Sequence, residues 1–227
     1  MSNLSYMQKA TDRGQLQIHV TTERGFFPIK DASIRLSYTG NPTEIIEELS
    51  TDISGQTAAV ELPAPPLEYS MEPSEFQPYS EYTIQVNASG YRPINISGIS
   101  VLPDKTSIQN VRMETATVEN PLERNIVITA NTLYGNFPPK IPEDEIKPMT
   151  ESGEIVLSRV VIPEYVIVHD GPPSDSSAND YYVRYRDYIK NVASSEIYAT
   201  WPDAALRANI LAIMSFTLNR VYTEWYR

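Results

Sequence analysis

Apolar and polar residues alternate in three short runs: Leu16-Gln17-Ile18-His19-Val20, Ser33-Ile34-Arg35-Leu36-Ser37-Tyr38 and Tyr82-Thr83-Ile84-Gln85-Val86. Successive side chains on a strand point to opposite faces, so this period of two predicts strands with one buried face. Turn residues punctuate the runs at Gly25, Gly40-Asn41-Pro42, Ser54-Gly55, Ser89-Gly90 and Pro103-Asp104. Short strands at this spacing predict a β-sandwich over residues 15–115, preceded by a flexible stretch at 1–14. The pattern then changes. Residues 116–180 hold strand-like pieces at 126–129, 154–162 and 165–168, separated by proline clusters around Pro138-Pro139, Pro142, Pro148 and Pro172-Pro173. Proline lacks an amide hydrogen and blocks helix interiors and central strands, so these clusters predict exposed connectors.

Helical spacing begins at Tyr185. Tyr188, Val192 and Ser195 share one face, with Ile189 and Glu196 beside it. Trp201-Pro202 interrupts, and Asp203 is placed to cap a second helix in which Leu206, Ile210, Ile213, Phe216 or Thr217, and Arg220 or Val221 recur. The chain therefore reads as α+β and multidomain: an all-β sandwich, a Pro-rich connector with short strands, and a helical part at 181–227. Aromatic residues Trp225-Tyr226 beside an uncapped end predict that this last part is truncated, the beginning of a longer domain.

Composition narrows the function classes. Of 227 residues 41% are hydrophobic, enough for ordinary buried cores. The formal net charge is −11, and Lys and Arg form no run, which argues against nucleic acid as a partner. There is no cysteine, hence no disulfide framework and no thiolate metal site. Only His19 and His169 are available, too few for a His-rich zinc centre, so neither a metal nor a cofactor is expected. No apolar run suggests a membrane span, and the first fourteen residues lack the core of a signal peptide.

The chemistry-bearing stretch is Tyr188-Ile-Lys-Asn-Val-Ala-Ser-Ser-Glu196, followed by Trp201-Pro202-Asp-Ala-Ala-Leu206-Arg-Ala-Asn209. One carboxylate closes an apolar-faced helix and faces the start of another, which predicts an acid held in a partly apolar cleft. Burial there would raise a carboxyl pKa and keep a proton available for a leaving oxygen. An ordinary helix-surface glutamate is the alternative. Asp187 and Asp203 are the sequence-near carboxylates, and they read as a solvated face and a helix cap.

These residues resemble the SpoIID-like glycan-cleaving domain, whose pattern is Tyr-x-x-Gly-Val-x-x-x-Glu, then Trp-Pro, then Ala-Leu-Lys-Ala-Gln. The resemblance implies a peptidoglycan lytic transglycosylase or an amidase enhancer with Glu196 as the catalytic acid/base. Asn191 replaces the pattern's Gly, Asn209 its Gln, and Met214 a common downstream Arg. Asn209 can still offer an amide to a sugar, whereas Met214 cannot replace a cationic donor. Trp201 and Tyr198, with Tyr222, could stack on sugars or pack in a core. The runs Leu133–Pro148, Pro163–Gly171 and Tyr188–Arg227 are further similar to the SleC-type spore cortex-lytic enzymes of clostridia. Gly14–Val20, Pro28–Leu36, Thr51–Thr57, Leu62–Pro65 and Tyr82–Tyr91 resemble the carboxypeptidase-regulatory-like, or transthyretin-like, sandwich.

Together these resemblances imply a spore-germination zymogen whose N-terminal pro-region is removed by a germination-specific protease. Its substrate would be peptidoglycan glycan strands in the spore cortex or coat region, or in the extracellular cell wall, with amidase activity as a possible addition. The connector at 116–160 is expected to be the protease-sensitive stretch. The alternatives are a non-catalytic pro-region or interaction module, an inert fragment of a cell-wall-binding protein, and, from the sandwich alone, a surface adhesin.

Overall fold

A computed structural model describes residues 12–72, 75–117, 122–130, 133, 161–172 and 175–221. The chain divides into two compact units, residues 1–136 and 137–227. The architecture is mostly a β-sandwich with few helices, of α+β class.

The first unit is built on two sheets. One has the order β4-β1-β7, formed by β1 (Asp12–Thr22), β4 (Val60–Ala64) and β7 (Thr106–Met113). The other has the order β3-β2-β5-β6-β8, formed by β2 (Ser33–Tyr38), β3 (Asn41–Ser50), β5 (Ser80–Asn87), β6 (Ile94–Val101) and β8 (Arg124–Val127). Pairing is antiparallel except for β1 with β7 and β6 with β8. The alternating runs behave as their period requires: Leu16, Ile18, Val20, Ile34, Leu36, Tyr82, Ile84 and Val86 are all fully buried between the sheets. At about 25 cal/mol per Å² of apolar surface, these inner faces supply most of the drive that holds the layers together. A short helix, α1 (Glu68–Met71), follows β4.

Three strands depart from the sequence reading for physical reasons. In β6 the buried residues are Ile94, Ile96, Ile99 and Val101, so the period slips by one. The slip is a bulge: Ile96 pairs with Ile84 and Ile99 with Tyr82, leaving one extra residue on β6. Gly98 sits in it at φ 82°, a conformation open to glycine. β3 begins inside the expected Gly40-Asn41-Pro42 turn; it is a mostly exposed edge strand carrying Glu44, Glu47 and Glu48, charges that discourage edge-to-edge pairing. β8 lies in the stretch expected to be connector, yet it pairs with β6 and forms the opposite edge of the five-stranded sheet.

In the second unit, β9 (Tyr165–His169) and β10 (Asp180–Arg184) form an antiparallel hairpin, and α2 (Tyr185–Ser194) and α3 (Asp203–Asn219) follow. Val166, Tyr185, Ile189 and Ile213 form its buried cluster, with Val168, Val183, Tyr188, Val192, Ile210, Met214 and Leu218 packed against it. Thr217, not Phe216, takes the inward position late in α3: Thr217 is buried and Phe216 is 60% exposed. The expected strand at 154–162 lies largely outside the described residues, as does the 1–11 part of the N-terminal stretch.

Candidate functional site

Two local signals end α2. Ser194 Oγ and Ser195 Oγ both donate to the Asn191 carbonyl, at 2.9 and 3.0 Å, competing with the helix ladder. Backbone amides of Glu196 and Ile197 then turn back onto the Ala193 carbonyl, at 3.1 and 3.0 Å. Glu196 therefore sits in the turn just past the helix, not within it. Trp201 N–H closes a second turn onto the Tyr198 carbonyl at 3.2 Å. Pro202 keeps the preceding residue out of helical conformation, so the chain re-enters a helix only at Asp203.

Asp203 does not cap α3 as the sequence suggested. It is the first helical residue, and the cap position is Pro202 with no side-chain hydrogen bond. Its carboxylate can still favour the positive end of the helix dipole from the first turn. Asp187 lies exposed in the first turn of α2, in a 3.7 Å ion pair with Arg186. Asp187 stands on the first turn of α2 and Glu196 beyond its last, so the two carboxylates lie at opposite ends of the helix.

The two chemistry-bearing motif positions do meet. Asn209 Nδ2 donates to Glu196 Oε2 at 3.1 Å, across thirteen residues of sequence. The amide is half-buried, and its Oδ1 is buried without a hydrogen-bond partner among the described residues, as is Thr200 Oγ1. Thr200 went unread in the sequence because it lies in an irregular turn, where periodicity carries no signal. Tyr198 and Trp201 are both half-buried on the same connection. Tyr222 lies outside the described residues.

One expectation fails. Glu196 is exposed, not sheltered in a partly apolar cleft. The helical pattern correctly assigned Tyr188, Ile189 and Val192 to the packed face, but Glu196 falls beyond the last helical turn, where that pattern no longer decides burial. Met214, at the position of the pattern's Arg, packs against the apolar cluster, and its carbonyl accepts from Tyr185 Oη at 3.3 Å. That position serves packing here. Among the described residues no group of three or more potential metal ligands occurs, and no helix is long and apolar enough to cross a membrane.

His169 is the other titratable feature of this unit. Its Nδ1 faces Asp180 Oδ1 at 2.9 Å and its Nε2 faces the Pro172 carbonyl at 3.1 Å. Both ring nitrogens meet acceptors, an arrangement that the doubly protonated imidazolium satisfies. The hydrogen bond to Asp180 is the largest influence and raises the His169 pKa above its ordinary value.

No protein-family pattern and no curated protein matches this chain. Among solved structures, the Bacillus anthracis TIE protein aligns with 46% of the chain at 17% identity and a TM-score of 0.32, covering 17% of its own length. The minor pilin GBS52 of Streptococcus agalactiae aligns with 47% at 13% identity and a TM-score of 0.33, covering 46% of its own length. The 5-hydroxyisourate hydrolase of Klebsiella pneumoniae aligns with 46% at 16% identity and a TM-score of 0.30, covering 92% of its own length. The aligned part thus spans less than half of the first two proteins, and overlaps this small leave the chemistry to be argued from the chain's own residues.

Proposed function

We propose that this chain belongs to a SleC-type precursor of a peptidoglycan lytic transglycosylase acting on spore cortex, with Glu196 as its single acid/base. The observation that carries the reading is the 3.1 Å hydrogen bond from Asn209 to Glu196, which joins the motif's acid and its amide from two separate elements. In this reading protonated Glu196 gives its proton to the glycosidic oxygen between N-acetylmuramic acid and N-acetylglucosamine, and the C1–O bond breaks. The Glu196 carboxylate then removes the proton from the muramoyl C6 hydroxyl as its oxygen bonds to C1. An anhydro ring forms, the carboxyl is again protonated, and no water is consumed. Because Glu196 is exposed in the free chain, its desolvation must come from the glycan strand lying over it. Tyr198 and Trp201 are the stacking candidates for that strand, and Asn209 the polar contact. The sandwich would be the pro-region, released by a germination-specific protease.

The test is digestion of purified cortex peptidoglycan with the chain and with Glu196→Gln, followed by muropeptide analysis for anhydro ends. Anhydro product from the parent that falls by about 10² to 10⁴ in rate in Glu196→Gln supports the assignment. Equal product from both sinks it. A second reading, a non-catalytic pro-region or interaction module, is favoured by the exposure of Glu196. It is supported if the parent releases no anhydro ends yet binds the same peptidoglycan in a pull-down.

A further inference from the structure

We propose that Arg92, Arg112 and Arg124 form a site on the sandwich for a small, doubly charged oxyanion. Arg92 comes from the approach to β6, Arg112 from β7 and Arg124 from β8. With Ile94, Met113 and Glu114 they line a shallow patch open to solvent. Glu114 is the acid among them. Its Oε2 accepts from Arg92 Nη1 at 3.1 Å and its Oε1 from Arg124 Nη1 at 2.8 Å. Three cations and one anion leave a local charge of +2 on a chain whose net charge is −11.

A structural clamp accounts for part of this arrangement. Arg92, Glu114 and Arg124 tie β8 and the approach to β6 to the end of β7 in the other sheet, and Arg92 Nε also donates to the Leu122 carbonyl at 2.6 Å. A clamp does not explain Arg112. Among the described residues its side chain makes no hydrogen bond or ion pair, and a third cation beside the pair adds repulsion. Its guanidinium is instead held 4.5 Å over the ring of Phe26. Stacking uses the π face of the group and leaves its five in-plane N–H donors uncommitted. Phe26 itself stands at φ 54°, a conformation most non-glycine residues avoid and one that structures retain where it positions something.

Arg92 and Arg124 also keep donors beyond those bonded to Glu114 and Leu122. Planar forks of this kind match the oxygens of phosphate or carboxylate groups two at a time. The charge of +2 selects a dianion over a monoanion. The shallowness of the patch restricts the ligand to a compact oxyanion head such as phosphate or a short dicarboxylate. No run of basic residues announces the site, because its members lie 20 and 12 residues apart along the sequence.

The experiment is a titration of the full 227-residue chain with inorganic phosphate at pH 8 and low salt. Arginine Nε–H signals are followed by NMR, with succinate, acetate and chloride at matched ionic strength. Saturable shifts at Arg92, Arg112 and Arg124 are expected with phosphate, with affinity about tenfold above acetate for the extra charge. Succinate tests the dicarboxylate source, and the tighter of the two dianions assigns the class. Arg112→Gln, an exposed change outside the clamp, is expected to weaken phosphate about tenfold with an unchanged thermal midpoint. Glu196→Gln leaves binding untouched, which separates this site from the catalytic proposal. Shifts that stay linear, affinities equal for phosphate and acetate, or binding that Arg112→Gln does not alter overturn the site.

Discussion

Tyr82→Phe isolates one bond between the two layers of the sandwich. Tyr82 is fully buried on β5, and its hydroxyl donates to the Pro63 carbonyl on β4, in the other sheet, at 2.7 Å. The substitution keeps the ring and its stacking on Tyr38, centroids 5.1 Å apart, and removes the donor alone. Removing the donor from this partly buried carbonyl costs about 1–3 kcal/mol. With a urea dependence near 2 kcal/mol per molar, the unfolding midpoint of this unit should fall by about 1 M at unchanged slope. Tyrosine near-UV circular dichroism reads the transition. pH supplies a second, independent signature. Burial, then the neighbouring Tyr38, raise the Tyr82 pKa far above its ordinary value of 10.0. A raised folded pKa means the contribution is complete below pH 10 and is lost as pH rises above it, where only the unfolded phenol ionises. Parent and variant should therefore converge in stability above about pH 10. A midpoint within about 0.2 M of the parent at pH 7, or a gap that persists undiminished into alkali, refutes the interlayer bond.

Gly98→Ala should destabilise the sandwich by more than about 1 kcal/mol: the residue sits at φ 82°, and an added Cβ would meet the Ile128 carbonyl oxygen at 2.5 Å. Equilibrium urea unfolding measures this, and a neutral result would contradict the bulge geometry. His169 is expected to titrate above its ordinary value and Asp180→Asn to return it downward, read by imidazole NMR signals. Because the folded pKa is raised, the stabilisation of the β9–β10 hairpin is present below pH 6.5 and fades as pH climbs through the shifted value. Exchange of the Asp170 amide, bonded to the Asn179 carbonyl at 2.9 Å, should accelerate over that window. Limited proteolysis should cut first within residues 116–160, the proline- and charge-rich stretch expected to be protease-sensitive. A first cut inside 20–110 would contradict the pro-region reading.

Sequence patterning revealed β1, β2 and β5 because each turns apolar side chains to the core and more polar ones to its other face, the condition under which period two is informative. It missed β6 because the bulge at Gly98 shifts the buried positions from 94 and 96 to 99 and 101, so no single phase fits the strand. It missed β3 for the opposite reason: an edge strand that is mostly exposed has little apolar phase to detect. β8 was visible as a strand, but its partner was not. A parallel pairing with β6 across the 22 residues between the two strands leaves no local trace. Helix α3 was legible in all but its ends: Ile210 and Ile213 pack as their spacing requires, whereas the cap depended on whether Pro202 or Asp203 stood at the boundary.

The same contrast governs the candidate site. The resemblance to the SpoIID-like pattern, not helical spacing, brought Glu196 and Asn209 into one expected constellation, and a 3.1 Å hydrogen bond joins them. Spacing says nothing of solvent beyond a helix end, so the shelter expected for the acid was an inference from chemistry alone. An ionised carboxylate is the state needed to take a proton from a sugar hydroxyl. Donation of a proton first requires the opposite state. Asn209 can serve both, because rotation of its amide by half a turn would present Oδ1, buried and without a partner among the described residues, as an acceptor for a protonated Glu196. A bound glycan that excludes water would favour that second arrangement. The acid/base cycle proposed for this chain thus asks for one carboxyl, one reversible amide and a substrate that provides its own desolvation, without a second acidic residue.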